Sequence, residues 1–187
     1  MTFEPPDAPA PPPGSHPDEF SVDLRAIGLL DWVTLALGLA TLIFSCFDFY
    51  NFRSDFAGSK GFSAWHDIAG GGFFGWFGVV LPLMGSIALA LALFEPSTHF
   101  PMDVRVLTFA GFGAGLVCEL LAIVLHPKFY DRRLSGYGQA ELSHGFSFWM
   151  ILGLTVLGTL VTVARAQQVG TTLPGPFKNL PKIVRSA

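Results

Sequence analysis

Four long apolar segments, separated by shorter polar ones, constrain what this chain can fold into. They cover approximately residues 27–50, 73–94, 104–126 and 146–166. At about 1.5 Å per residue, a helix of such length crosses the roughly 30 Å hydrocarbon core of a bilayer. Four such segments are unusual in a soluble protein. The sequence therefore predicts an all-α integral membrane protein, a four-helix bundle over residues 24–166.

The charge content indicates the same class of protein. Charged residues make up 13% of the chain, whereas soluble domains average about 25%. The net charge of −3 is small and the basic residues are scattered, so nothing indicates binding of nucleic acid. The lipid bilayer is the first partner that the composition predicts.

Both ends of the chain are predicted to be disordered tails. Residues 1–23 are acidic and rich in proline, with too little apolar surface to offset the entropy of ordering them. They also lack the apolar core of a signal peptide, so we expect the first helix itself to direct membrane insertion. Residues 167–187 carry basic side chains and three prolines, which is typical of a basic, flexible tail.

Glycine spacing predicts close helix packing. Gly111 and Gly115 form a GxxxG pair in the third segment, and Gly75 and Gly78 lie in the second. Such spacing lets helix backbones approach each other, within one chain or between copies, and we favour packing within the chain.

Acidic residues fall at the ends of the first segment and inside the third. We expect Asp31 and Asp48 to be solvated at the membrane interfaces. Glu119 lies deep in the third segment, where contact of a carboxylate with lipid costs a few kcal/mol. It should therefore face protein or water. One interpretation is structural, a protonated or hydrogen-bonded acid between helices, and the other is a transport path lined by Glu119.

Catalytic and metal-binding signatures are weak. His66, His126 and His144 fall near one interface and are low-probability metal candidates, but no HExxH or other helical ligand pair occurs. Nucleophile-elbow, phosphate-loop and dinucleotide motifs are also missing from the sequence. We therefore expect no catalytic residue and no cofactor, and a non-enzymatic role is favoured.

The two halves of the chain show a weak internal sequence similarity. Gly72–Trp76 resembles Gly145–Trp149, and each half has the order helix, long polar loop, helix with an aromatic entry. A parallel duplication of a two-helix hairpin explains this pattern. Chance combined with the usual aromatic belts of membrane proteins explains it equally well.

Loop charges give only a narrow preference for orientation. Six basic residues fall in or beside the tails and the short link 96–103, against five in the two long loops. By the positive-inside rule, both termini are predicted to be cytoplasmic, with the long loops outside. We expect a multi-pass protein of the plasma membrane.

Several short motifs resemble one known group of proteins. They are Ser63–His66, Gly72–Phe77, Leu93–Glu95 and Ser143–Trp149. Together they are similar to small four-span integral membrane proteins of actinobacteria, which commonly carry a Pro/Gly-rich cytoplasmic tail and are mostly of unknown function. The resemblance implies four spans and supplies no catalytic residue.

Three functional hypotheses follow from the sequence, and the third and least favoured is a membrane enzyme or metal binder that uses His66, His126 and His144. The first is an accessory or scaffold subunit of a cell-envelope or membrane complex, with a protein partner or a homo-oligomer. The second is a small oligomeric transporter or channel-like protein that uses Glu119.

Overall fold

The described part of the chain is mostly helical. The computed structural model describes residues 27–54, 58–66, 73–95, 97–125 and 140–173. Within them are four helices and three strands, in the order α1 (Leu29–Ser45), β1 (Tyr50–Ser54), β2 (Gly58–Phe62), α2 (Phe73–Phe94), α3 (Val104–Val124), β3 (Ala140–His144) and α4 (Phe146–Val169). The predicted tails lie outside the described residues, apart from 167–173.

Local signals fix the ends of the helices. The side chain of Asp103 accepts a hydrogen bond of 2.8 Å from the backbone N–H of Arg105 and so caps the start of α3. Gly170 follows α4 with a φ of 73°, the left-handed conformation in which glycine commonly ends a helix. The N–H of Thr171 then donates to the carbonyl of Ala166 at 2.9 Å.

Each helix packs mainly against two others. α2 lies along α3, α3 along α4, α4 along α1 and α1 along α2. The closest approach is between α2 and α3: a Cβ placed on Gly111 would lie 2.7 Å from the carbonyl oxygen of Leu81, and one on Gly115 would lie 2.6 Å from Cδ of Pro82. Gly111 and Gly115 therefore bring two backbones of the same chain into contact.

A small antiparallel sheet lies at one end of the helices, and the expectation of an all-α chain is wrong in this respect. The strand order is β2-β1-β3, with Tyr50 opposite Phe62 on one side and His144 on the other. Since β1 and β2 follow α1 and β3 precedes α4, the sheet joins the two long loops. Five-residue strands give too short an alternation to be recognised in the sequence. We term this the sheet end.

A buried ion pair lies at the opposite end, and the expectation that Asp31 is solvated is wrong. Asp31, in the first turn of α1, is only 2% exposed. The guanidinium of Arg165, near the end of α4, donates to both of its carboxylate oxygens, at 2.9 Å from Nε and 2.6 Å from the second nitrogen. This bidentate pair links the first helix to the last, and we term this the ion-pair end.

Three of the described helices are long and apolar enough to cross a membrane. They are Phe74–Phe94, Val104–Val124 and Phe146–Val169, with 21, 21 and 24 residues. α1 is equally apolar but has 17 residues, because the chain turns after Ser45 into the first strand. By length and composition, three described helices could therefore cross a membrane, which indicates a membrane protein, whereas four such helices were expected.

Burial in the helices is inverted relative to a soluble protein. Large apolar side chains point outward on all four helices, and many of the buried helical side chains are polar. The exposed group includes Leu39, Ile43, Met84, Ile87, Val117, Leu120, Leu157 and Leu160, and the buried polar group includes Thr34, Thr41, Ser86, Thr108, Glu119, Thr155 and Thr162. Soluble domains seldom expose such continuous apolar surface, so this arrangement supports a lipid-facing exterior.

Candidate functional site: a buried acid below the sheet

Glu119 lies inside the helical assembly, one helical turn beyond Gly115 on α3. Its side chain is 0% exposed. Among the described residues, neither carboxylate oxygen has a hydrogen-bond partner. A buried carboxylate without a partner is very costly if it is ionised. The burial of Glu119 is therefore energetically acceptable only if the carboxyl is protonated, or if a bound ion or a hydrogen-bond donor lies beside it.

Glycine at position 78 of α2 makes room for this acid. A Cβ placed on Gly78 would collide with Oε1 of Glu119 and would lie 2.7 Å from its Cδ and 2.8 Å from its Cγ. The whole end of the Glu119 side chain therefore rests on the backbone of α2. Substitution at Gly78 would force that side chain to move.

Tyr50 reaches the same side of α2 from the sheet. Its hydroxyl would contact a Cβ placed on Gly75, three residues before Gly78. Tyr50 is 4% exposed, and burial raises the pKa of its hydroxyl, with a smaller contribution from the charge of Glu119. The phenol therefore stays neutral at physiological pH. The Tyr50 hydroxyl lies against Gly75 and the Glu119 carboxyl against Gly78, so the two groups are neighbours along one face of α2.

Aromatic rings close the site on the sheet side. Phe49 packs edge-on against Tyr50 and Phe148, with ring centroids 4.8 and 5.2 Å apart. His144 lies over Phe148 at 4.0 Å. Phe49 and Phe148 are fully buried, so these rings form an apolar lid between the sheet and the helices.

The candidate histidines do not form a metal centre in the described part of the chain. His144 packs in the aromatic lid, whereas His66 is exposed and stacks on Phe62 with centroids 4.8 Å apart. His126 lies outside the described residues. Where the structure describes the chain, no three His, Cys, Asp or Glu side chains are grouped so that they could hold a metal ion.

A second polar cluster surrounds the ion pair at the other end. Its cavity of about 10 Å³ has room for about one water molecule. It is lined by Asp31, Thr34, Leu89, Arg105, Thr108, Thr162 and Arg165. Several of the threonine hydroxyls donate to carbonyls of their own helices, as Thr34 does to Leu30 at 2.8 Å. This cluster joins helix ends and is structural in character.

Sequence reasoning singled out Glu119 but missed Tyr50 and Arg165. A signal for Arg165 was present, because four spans place the start of the first helix and the end of the last at the same membrane surface. Tyr50 had no such signal, since its position depends on pairing between strands from distant loops.

Comparisons with known proteins identified no relative of this chain. No family model, no curated protein and no solved structure matches this chain.

Proposed function

We propose that the chain is a four-span protein of the plasma membrane, with α1 as the fourth transmembrane helix of a bundle. The support is the burial pattern of α1: most of its buried residues are polar or small (Asp31, Thr34, Gly38, Thr41 and Ser45, beside Leu37), while Leu39, Leu42 and Ile43 point outward. A helix with water outside would show the reverse. Its 17 residues span about 26 Å, at the lower limit for a transmembrane helix.

In the orientation we propose, the ion-pair end and both termini are cytoplasmic and the sheet end is outside. The narrow excess of basic residues near the tails supports it. Single cysteines test it in a variant without Cys46 and Cys118. Ser59→Cys in β2 should react with a membrane-impermeant maleimide on intact cells, and Ser97→Cys only after permeabilisation. The opposite labelling would reject this orientation.

As its function, we propose an accessory or scaffold subunit of a membrane complex. The observation that carries this proposal is the packing of the described interior, in which α2 and α3 meet backbone to backbone at Gly85 and Gly111. Such contact leaves no gap between the two backbones at these glycines, which also line an apolar cavity of about 400 Å³ beside the contact. The apolar exterior of all four helices is available to a partner helix as well as to lipid.

Purification in a mild detergent tests the accessory role. The tagged chain should be recovered with a stoichiometric membrane partner or as a defined homo-oligomer, and the complex should survive size-exclusion chromatography. Recovery as a monomer alone, from native membranes at native expression level, would contradict the proposal.

The second candidate is a small transporter or channel-like oligomer with Glu119 at its pathway. This candidate is favoured by the burial of Glu119, whose carboxylate oxygens have no hydrogen-bond partner in the part of the chain that the structure describes. Proteoliposomes that enclose a pH-sensitive dye measure the relevant flux. Glu119→Gln should abolish proton movement while the protein remains folded, and equal fluxes for the variant and the parent would end this hypothesis.

A further inference from the structure

Pro82 removes one backbone hydrogen bond from the middle of α2. Proline has no N–H, so the carbonyl of the residue four positions earlier loses its helical donor. That residue is Gly78. A transmembrane helix tolerates such a loss when a neighbouring group satisfies the freed carbonyl.

The freed carbonyl lies at the interface with α3. Its oxygen would be 3.1 Å from a Cβ placed on Gly115, and a Cβ placed on Gly78 itself would collide with the Glu119 carboxyl. Gly115 and Glu119 are four residues apart and therefore lie on the same face of α3. The Gly78 carbonyl and the Glu119 carboxyl therefore both lie at the contact between α2 and α3 around Gly78.

These two groups can form a hydrogen bond only if one of them supplies a donor. A carbonyl oxygen inside a membrane needs a donor, and a carboxylate offers only acceptors. A protonated carboxyl has one O–H to donate. We propose that Glu119 is a proton-binding site whose protonated carboxyl donates a hydrogen bond to the Gly78 carbonyl oxygen that Pro82 leaves without a donor.

Proton loss would change this contact from attractive to repulsive. The carboxylate would face the negative end of the carbonyl dipole in a region of low dielectric, where such interactions are strong. The helices would then have to separate near Pro82 or admit water. The proton comes from bulk water and returns to it, so the step involves no other reactant.

The surroundings of Glu119 contain few other groups that titrate. From α2 it meets Gly78, and from the sheet the Tyr50 hydroxyl lies against Gly75, one helical turn before Gly78. Cys118 is the adjacent residue on α3. At the end of β3, His144 packs near Tyr50, with ring centroids 5.9 Å apart. His126 lies outside the described residues. This proposal rests on the placement of α2 and α3 in the membrane and is independent of any partner.

Infrared difference spectroscopy on the reconstituted protein tests the protonation directly. The parent minus Glu119→Gln spectrum at neutral pH should show the C=O stretch of a protonated carboxylic acid, with a frequency lowered by hydrogen bonding. Glu119→Gln should fold normally, because its amide N–H also donates to the Gly78 carbonyl. A carboxylate band instead of the acid band would overturn the proposal.

A double-mutant cycle tests the hydrogen-bond acceptor. Pro82→Ala restores the N–H that serves the Gly78 carbonyl within α2. Glu119→Leu should therefore raise the equilibrium constant for unfolding about tenfold less in the Pro82→Ala protein than in the parent, as expected for one unsatisfied buried carbonyl. Equal effects in both backgrounds would reject Gly78 as the acceptor, whether or not a complex partner or a proton flux is found.

Discussion

The ion pair between Asp31 and Arg165 allows a quantitative prediction about how the first and last helices are held together. Removing one partner of a buried pair leaves an uncompensated charge and costs about 3–5 kcal/mol. The two ends of this pair differ in exposure, since the Asp31 side chain is 2% exposed and that of Arg165 is 19% exposed. Arg165→Met leaves the deeply buried carboxylate alone and should cost the full amount.

Asp31→Asn should cost less than Arg165→Met. The remaining guanidinium is partly exposed and can reach water or the lipid headgroups, so we expect a loss of about 1–3 kcal/mol. The double variant should be more stable than the sum of the single effects implies, with a coupling energy of about 2 kcal/mol. Arg53→Met is the matched control, because Arg53 is exposed on β1 and surface charges contribute about 0–1 kcal/mol.

The assay is reversible unfolding of the purified protein in mixed micelles, followed by tryptophan fluorescence and circular dichroism. The predicted order of destabilisation is Arg165→Met first, Asp31→Asn second and Arg53→Met last. If Arg165→Met were no more destabilising than the Arg53→Met control, the ion pair would not hold α1 to α4 and the packing described for the ion-pair end would be refuted.

Two further predictions concern the site below the sheet. Gly78→Ala should destabilise the protein by about 1–3 kcal/mol in the same assay, because the Glu119 side chain must move. Gly153→Ala is the control, since a Cβ there meets nothing within 4 Å, and it should be neutral or stabilising by up to about 1 kcal/mol. Equal effects of the two substitutions would contradict the described contact between Gly78 and Glu119. Burial raises the pKa of the Tyr50 hydroxyl in the folded state. The neutral hydroxyl therefore contributes its full share of folding stability below a pH of about 10, the pKa of tyrosine in the unfolded chain. This stability is lost as the pH rises above that value. The free energy of unfolding should therefore fall more steeply above about pH 10 in the parent than in Tyr50→Phe, and parallel pH curves for the two proteins would contradict the burial of this hydroxyl.

The sequence was sufficient for the properties that depend on local composition. A mostly helical chain with long apolar helices was predicted and is confirmed, because apolar length is readable in any window of the sequence. The start of α3 is marked by Asp103 and the end of α4 by Gly170, both ordinary capping residues.

The sequence was insufficient for contacts between distant segments. Asp31 and Arg165 are 134 residues apart, and each taken alone resembles a solvated interfacial charge. The strands of the sheet have the same difficulty, since Asn51 pairs with Ser143 from a different loop. Tyr50 enters the site only through that sheet, so Glu119 was recognised as a buried acid without its neighbour.

We propose that all four helices cross the bilayer with their large apolar side chains toward lipid. Spin labels on single cysteines at Leu39, Leu91, Leu120 and Leu157, one on each helix, test it in reconstituted vesicles. Each label should be relaxed by oxygen dissolved in the hydrocarbon and protected from a water-soluble nickel reagent. A label at Leu39 that is accessible to the nickel reagent, with the other three protected, would show that α1 lies outside the membrane and would contradict the four-span arrangement.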